Sequence, residues 1–122
     1  MKTIDIYLAA PYTSDFKDIR DKRIREVNRK AGELIRNGYI VFSPLTHGDP
    51  ICKQVSMKSD WNTWAKHNEA FIAVSKKLYI LGLPGWRESI GVREEIKLAE
   101  KYGIPIEIHP ADYLPEQYEG DL

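Results

Sequence analysis

The chain of 122 residues contains a single cysteine, Cys52. A lone cysteine excludes an internal disulfide, and the three histidines do not combine with it in the spacing of a zinc site. We interpret Cys52 as an incidental thiol, because the sequence offers no identifiable partner that would activate it. The sequence therefore predicts neither a metal nor another cofactor.

An excess of charge of either sign is also absent. Lys and Arg together number 18 and so do Asp and Glu, so the overall charge does not attract a polyanion and nucleic acid is not an expected partner. The chain has no run of 18 apolar residues that would cross a membrane, and its first residues enter an apolar strand rather than a signal peptide. We expect no membrane partner and a cytoplasmic location.

The most informative stretch begins at residue 77, where an apolar run over residues 77–81, bounded by glycine and proline, predicts a buried strand. Ser89 is predicted to cap a helix, because its hydroxyl can accept from the free amides of the first turn. The helix ends at Gly103, and residues 104–108 form the next strand. This unit places a helix N-terminus, which favours anions, at the carboxyl edge of a parallel sheet.

One acidic residue of that helix is a candidate for chemistry. Gly91, Glu95 and Ala99 are spaced by four, so they share a helix face, and the two small residues leave open space around the carboxylate. The alternative is that Glu95 is a surface carboxylate in a charge-rich helix, as most helical glutamates are. Spacing alone leaves both interpretations open.

The first part of the chain is predicted as a strand over residues 2–9, a helix over residues 16–37 and a second strand over residues 39–43. Polar residues cover the outer face of this helix, and we expect that face to be solvated. They include the arginines at positions 20, 23, 25, 29 and 36.

Residues 44–59 are rich in proline and glycine and predict a long loop with one helical turn. His47 in this loop is either a surface or capping residue or a residue that points into the ligand crevice. A helix capped at Asp60 follows, with a tryptophan-rich stripe that Asn68 interrupts. A polar side chain in such a stripe should hydrogen-bond internally or face a cavity.

Four strands alternating with three helices predict a doubly wound α/β domain, a flavodoxin/Rossmann-like three-layer sandwich. We expect a parallel sheet of four or five strands in the order 2-1-3-4. Its switch point lies between the first and third strands, where Tyr7, Tyr12, Ser89 and Glu95 can converge. Residues 1–109 form the domain, and residues 110–122 are a tail that we expect at a subunit interface.

Several segments resemble the nucleoside 2-deoxyribosyltransferase superfamily, beginning with Ile-Tyr-Leu-Ala-Ala-Pro at residues 6–11 and Gly-Tyr-Ile-Val-Phe-Ser-Pro at residues 38–44. Ser-x-Gly-Val-x-x-Glu-x-x-x-Ala at residues 89–99 is similar to the signature of its hydrolase branch, the 2'-deoxynucleoside 5'-phosphate N-hydrolases. Together with residues 42–47 and 83–95, the pattern is most similar to an uncharacterised bacterial and phage subfamily. The resemblance covers about the first 109 residues.

The resemblance implies roles for three residues at the switch point. Glu95 matches the nucleophile, which attacks the anomeric carbon and forms a covalent glycosyl intermediate. Tyr7 matches the tyrosine that hydrogen-bonds and orients this carboxylate. Ser89 matches the serine that binds a 5'-phosphate in the hydrolases, where the transferases carry an aspartate that contacts the sugar, so serine favours a nucleotide over a nucleoside. Gly91 belongs to the same phosphate-binding element.

Further binding roles follow from the same resemblance. Pro11 and Tyr12 are expected to border the sugar, and His47 to line the base pocket. Trp86 and Arg87 lie in an insertion relative to the hydrolases. They are expected either to stack on a base and pair with a phosphate, or to act as lid residues without a ligand role.

Asn68 departs from the pattern of the superfamily, whose members carry an aspartate that protonates or positions the leaving base. An amide cannot act as a general acid, and loss of proton transfer costs on the order of 100- to 10,000-fold in rate. Asp60, earlier on the same helix, is a possible substitute but is better explained as a helix cap. The implied function is cleavage or transfer of the N-glycosidic bond of a (deoxy)nucleoside 5'-monophosphate or related nucleotide, in a homo-oligomer (dimer or tetramer). The alternative is a non-catalytic nucleotide-binding module.

Overall fold

The computed structural model of the chain describes residues 1–111. The predicted docking of the tail at a subunit interface falls on residues beyond 111 and lies outside the described part. The elements in chain order are β1 (Ile6–Ala9), α1 (Lys17–Arg36), β2 (Val41–Phe42), α2 (Pro44–Val55), α3 (Trp61–Ala73), β3 (Leu78–Gly82), a 3-10 turn (Trp86–Glu88), α4 (Ile90–Lys101) and β4 (Ile106–Pro110).

The described strands form one four-stranded parallel sheet in the order β2-β1-β3-β4. Helices cover both of its faces, so the prediction of a three-layer α/β sandwich with this strand order is confirmed. The two central strands are buried along their length except for the last residue of β3, which explains why they read as continuous apolar runs rather than as alternating ones.

Alternation along β1 divides the core into two clusters, one on each face of the sheet. Ile6 and Leu8 pack on the face that carries Val27 of α1. Tyr7 and Ala9 point to the other face and pack with residues of α3 and α4. Because successive side chains of a strand point to opposite faces, this register turns the phenol of Tyr7 towards α4.

The prediction of a long loop after β2 is wrong, because residues 44–55 form the helix α2. Ser43 caps it by accepting from the backbone amide of Thr46, and Pro44 occupies the first turn, where its missing N–H is not needed. Gly48 is buried, and a Cβ there would lie 3.5 Å from the indole of Trp64. Packing against α3 therefore outweighs the poor helix propensity of glycine and of Pro50.

This extra helix gives the described part four α-helices where the sequence predicts three. Two predicted helix caps are confirmed, since Asp60 accepts from the amide of Thr63 and Ser89 from that of Val92. The first two strands are shorter than predicted, because only Ile6–Ala9 and Val41–Phe42 enter the ladder. Of the helices in residues 1–111, none combines the length and apolar character needed to cross a bilayer.

Candidate active site at the switch point of the sheet

The central feature of the site is a buried, hydrogen-bonded pair of a tyrosine and a glutamate. The Tyr7 hydroxyl donates a hydrogen bond of 2.6 Å to Oε2 of Glu95. Tyr7 is fully buried and Glu95 is 5% exposed. Glu95 shares the inward face of α4 with Val92 and Ala99, so the interpretation of this glutamate as a surface carboxylate is wrong.

Burial and the phenol act on the Glu95 carboxyl in opposite directions. Burial raises its pKa from an ordinary 4.5 to about 8, whereas the hydrogen bond from Tyr7 lowers it. The pKa of Tyr7 is raised well above its usual value, first by burial and then by the neighbouring carboxylate. A buried carboxyl that titrates near neutral pH beside a cavity is typical of catalytic groups.

A cavity of about 250 Å³ adjoins this carboxyl. The loop after β1, helices α2 and α3 with the loop between them, and the start of α4 form its walls. Five residues that the sequence singles out as site candidates line it: Tyr12, Asn68, Ser89, Gly91 and Glu95. The topology thus gathers these residues at the carboxyl edge of the sheet, between β1 and β3.

Asn68 satisfies both conditions that its position in the apolar stripe predicts. It is 7% exposed, and its side-chain oxygen lies 3.0 Å from Nδ1 of His67. The imidazole tautomer protonated at Nδ1 donates to that oxygen. The amide N–H groups of Asn68 have no partner within residues 1–111, and the residue lines the cavity, so they can donate to a ligand.

Ser89 and Gly91 form the part of the cavity that best suits an anion. They lie at the N-terminus of α4, whose free backbone amides and dipole favour negative charge. The Ser89 hydroxyl accepts from the amide of Val92 at 3.2 Å. Its own proton remains available to donate to a ligand oxygen.

Asp60 lines the same cavity but is held as a cap. Its carboxylate accepts from the amide and the hydroxyl of Thr63, and these hydrogen bonds lower its pKa. A carboxyl with a lowered pKa is ionised at neutral pH and has no proton to give to a leaving base. The capping interpretation is therefore the one that the geometry favours.

Four predicted binding residues are not among those that line the cavity. Pro11 is fully buried in the loop after β1. Trp86 packs against the core beside β3, and the guanidinium of Arg87 lies over its ring at 4.8 Å. His47 is exposed on α2, where its ring stacks on that of His67 at 5.3 Å. No ligand role for these four follows from their positions.

The expectation that the arginines of α1 are solvated is wrong for Arg23, which is 8% exposed. Its Nη1 group donates to the backbone carbonyls of Tyr12 and Thr13 at 3.2 and 2.8 Å, and Nη2 donates to that of Pro84 at 2.9 Å. These bonds join the loop after β1 to the loop after β3. Arg23 therefore joins a loop that lines the cavity to the loop that follows β3.

Sequence reasoning also misses Asp49 and Lys53, which line the cavity from α2. Their spacing by four is the signature of an ion pair on a helix, but it has no such meaning in a loop. The error over residues 44–55 therefore hides both residues. Among residues 1–111, no group of three or more His, Cys, Asp and Glu side chains is arranged to hold a metal ion.

Residues 4–110 match a protein family described as "Domain of unknown function (DUF1937)". The match spans all four described strands and every described element of the site. Among curated proteins, none matches the chain.

Proposed function

The chain belongs to the DUF1937 family, and from the chemistry of its site we propose that it cleaves or transfers the N-glycosidic bond of a (deoxy)nucleoside 5'-monophosphate or related nucleotide. The single observation that carries this proposal is the buried Glu95 carboxyl, held by Tyr7 beside the cavity. The resemblance of residues 6–11 and 89–99 to the nucleoside 2-deoxyribosyltransferase superfamily supports the same reaction.

In the proposed mechanism, an ionised oxygen of Glu95 attacks the anomeric carbon. The new carbon–oxygen bond forms as the bond to the base breaks, and the base leaves with the electron pair of that bond. Water then attacks the glycosyl ester and releases the sugar phosphate, or a second base attacks and completes a transfer. Tyr7 stabilises the ionised form of Glu95 and fixes the direction of its carboxylate.

Two further groups of the cavity serve the substrate in this proposal. The start of α4, with the Ser89 hydroxyl, binds the 5'-phosphate. The amide of Asn68 donates a hydrogen bond to the leaving base and thereby lessens the negative charge that builds up there. Because an amide has no acidic proton to transfer, the base must take its proton from water or leave as an anion.

A second candidate, a nucleotide-binding module without turnover, is favoured by Asn68 itself. The superfamily's acid is replaced by an amide that retains its hydrogen-bonding capacity, which suits recognition better than proton transfer. In that case the cavity would bind or sense a nucleotide through the same phosphate site and aromatic walls.

One experiment separates these functions. The purified protein is incubated with a panel of ribonucleoside and deoxyribonucleoside monophosphates, and free base is followed by chromatography. We expect release of base that Glu95→Ala abolishes. Glu94→Gln is the matched control, because Glu94 lies on the same helix but pairs with the exposed Lys97, and it should retain activity.

Calorimetry with the same panel completes the test. Base release that depends on Glu95 supports the enzyme, whereas binding without release supports the module. Failure to bind any nucleotide contradicts both. The resemblance also leads us to propose a homo-oligomer in which a neighbouring subunit completes the site, and light scattering of the intact chain tests this through its molar mass.

A further inference from the structure

Helix α2 places an ion pair in the wall of the cavity. Nζ of Lys53 lies 3.0 Å from Oδ2 of Asp49, one turn earlier. The Asp49 side chain is 13% exposed and that of Lys53 is 65% exposed, so the lysine reaches towards solvent while the carboxylate stays within the wall. Both residues line the cavity that holds Glu95.

The Asp49 carboxylate has capacity that the protein does not use. Oδ2 forms the ion pair with the ammonium group of Lys53, but Oδ1 has no hydrogen-bond partner within residues 1–111. A largely buried carboxylate oxygen is stabilised by an N–H or O–H donor. Because Asp49 lines the cavity, a ligand bound there can supply that donor.

The surroundings of Asp49 suit a flat and partly apolar group rather than a phosphate. Leu45, Trp61 and Trp64 also line the cavity, from α2 and α3. Aromatic and aliphatic walls favour the face of a heterocycle. The Asp49–Lys53 pair carries no net charge, whereas the start of α4 attracts a phosphate.

We propose that Asp49 is a specificity-determining residue for the base, selecting bases that carry an exocyclic amino group over their oxo or unsubstituted counterparts. This inference rests on the proposed function, which places the phosphate at Ser89. Oδ1 accepts from the amino group. Guanine offers the strongest match, since its ring N–H and amino group form two parallel donors for one carboxylate. Lys53 holds the carboxylate in position.

The test uses pairs of nucleotides that differ at one position. 2'-Deoxyguanosine 5'-monophosphate and its deoxyinosine analogue differ by the 2-amino group, and the deoxycytidine and deoxyuridine monophosphates differ by a 4-amino against a 4-oxo group. We expect kcat/KM to favour the amino-bearing member of any cleaved pair by about 10-fold or more, because its counterpart offers no amino donor to Oδ1 of the largely buried Asp49 side chain. Asp49→Asn should bring that ratio to within about threefold of unity, because an amide offers a donor as well as an acceptor.

Lys53→Met provides a second variant, which keeps the Asp49 carboxylate but removes the ammonium group that holds it in position. We expect this variant to lower the ratio at least threefold, so it tests the inference if Asp49→Asn fails to fold. Circular dichroism establishes which variants are folded. Base release with no preference within the pairs, or a preference that both folded variants retain, overturns the inference but leaves the proposed function standing. Absence of base release from every nucleotide overturns the proposed function and this inference with it.

Discussion

The phenol of Tyr7 and the carboxyl of Glu95 form a 2.6 Å hydrogen bond between β1 and α4, 88 residues apart in the chain. Burial dominates the electrostatics of the pair, because the pKa of Glu95 settles at about 8 although the phenol lowers it. The hydrogen bond therefore makes ionisation of a buried carboxyl less costly.

The pH dependence of base release should report this carboxyl. Only the ionised form of Glu95 is nucleophilic, so kcat/KM should rise with pH through about 8 and level off above it. Tyr7→Phe removes the hydrogen bond that lowers the pKa, so it should lower kcat/KM at pH 7 and move the midpoint to higher pH. Initial rates between pH 6 and 10 measure both effects. A profile that is flat or falling between pH 7 and 9 would contradict the assignment.

The stability of the protein should also depend on the ionisation of Glu95, but it should fall with rising pH where the activity rises. The pKa of Glu95 is higher in the folded state than its ordinary 4.5, so its contribution to stability is fully present below about pH 4.5 and is lost as the pH rises through about 8. The loss is on the order of 5 kcal/mol. Glutamine does not ionise, so Glu95→Gln lacks this loss. The free energy of unfolding of the variant, relative to that of the wild type, should therefore increase between pH 5 and 8. Urea titrations at several pH values test this, with Glu94→Gln as the control.

The architecture could be predicted from the sequence because its signals are local and redundant. Apolar runs bounded by glycine and proline mark β1 and β3, and Ser89 marks the start of α4. Parallel strands and right-handed connections then leave few possible orders of the sheet. The spacing of Gly91, Glu95 and Ala99 puts these three residues on one helix face but leaves open whether that face is inward, which the structure shows.

What the sequence could not predict depends on tertiary contacts. Helix α2 contains glycine and proline, and it forms because Gly48 fits against Trp64. Arg23 has the same local surroundings as the other arginines of α1, but its guanidinium donates to the carbonyl groups of two loops. Asp49 is missed for the same reason as α2, because the residue lines the cavity only when residues 44–55 form a helix. Each miss arises where packing overrides local propensity.

Asn68 provides a test of the missing general acid. Asn68→Asp introduces the residue type found at the matching position of the superfamily that the sequence resembles, so we expect base release to increase by about 10-fold or more if proton transfer limits the reaction. The gain over the wild type should be largest at acidic pH, where a larger fraction of the aspartic acid side chain is protonated. Single-turnover rates of the variant and the wild type provide the comparison. Equal rates would show that proton transfer to the base is not limiting.

Ser89 has a structural role and a proposed binding role, and two substitutions separate them. Ser89→Ala removes the cap of α4, which costs about 1 kcal/mol, whereas glycine at a cap position costs only a few tenths. Both variants lack the hydroxyl proposed to bind phosphate. We therefore expect both to raise KM for nucleotides relative to nucleosides, while only the alanine variant loses marked stability. Thermal unfolding and steady-state kinetics measure the two effects. A KM unchanged in the glycine variant would remove the hydroxyl from the phosphate site.

The loop after β3 should be sensitive to a single methyl group. Gly85 has φ +90°, a conformation that side chains rarely adopt, and a Cβ there would lie 2.6 Å from Nη2 of Arg23. Gly85→Ala thus combines backbone strain of about 1 to 3 kcal/mol with displacement of the arginine that joins the loop after β3 to the cavity-lining loop after β1. We expect a lower Tm and a loss of base release. Gly32→Ala is the control, because a Cβ at Gly32 meets nothing within 4 Å, and alanine in the middle of α1 should stabilise the protein by up to about 1 kcal/mol. If Gly85→Ala unfolds at the wild-type temperature, Arg23 does not hold these loops in the way that its hydrogen bonds indicate.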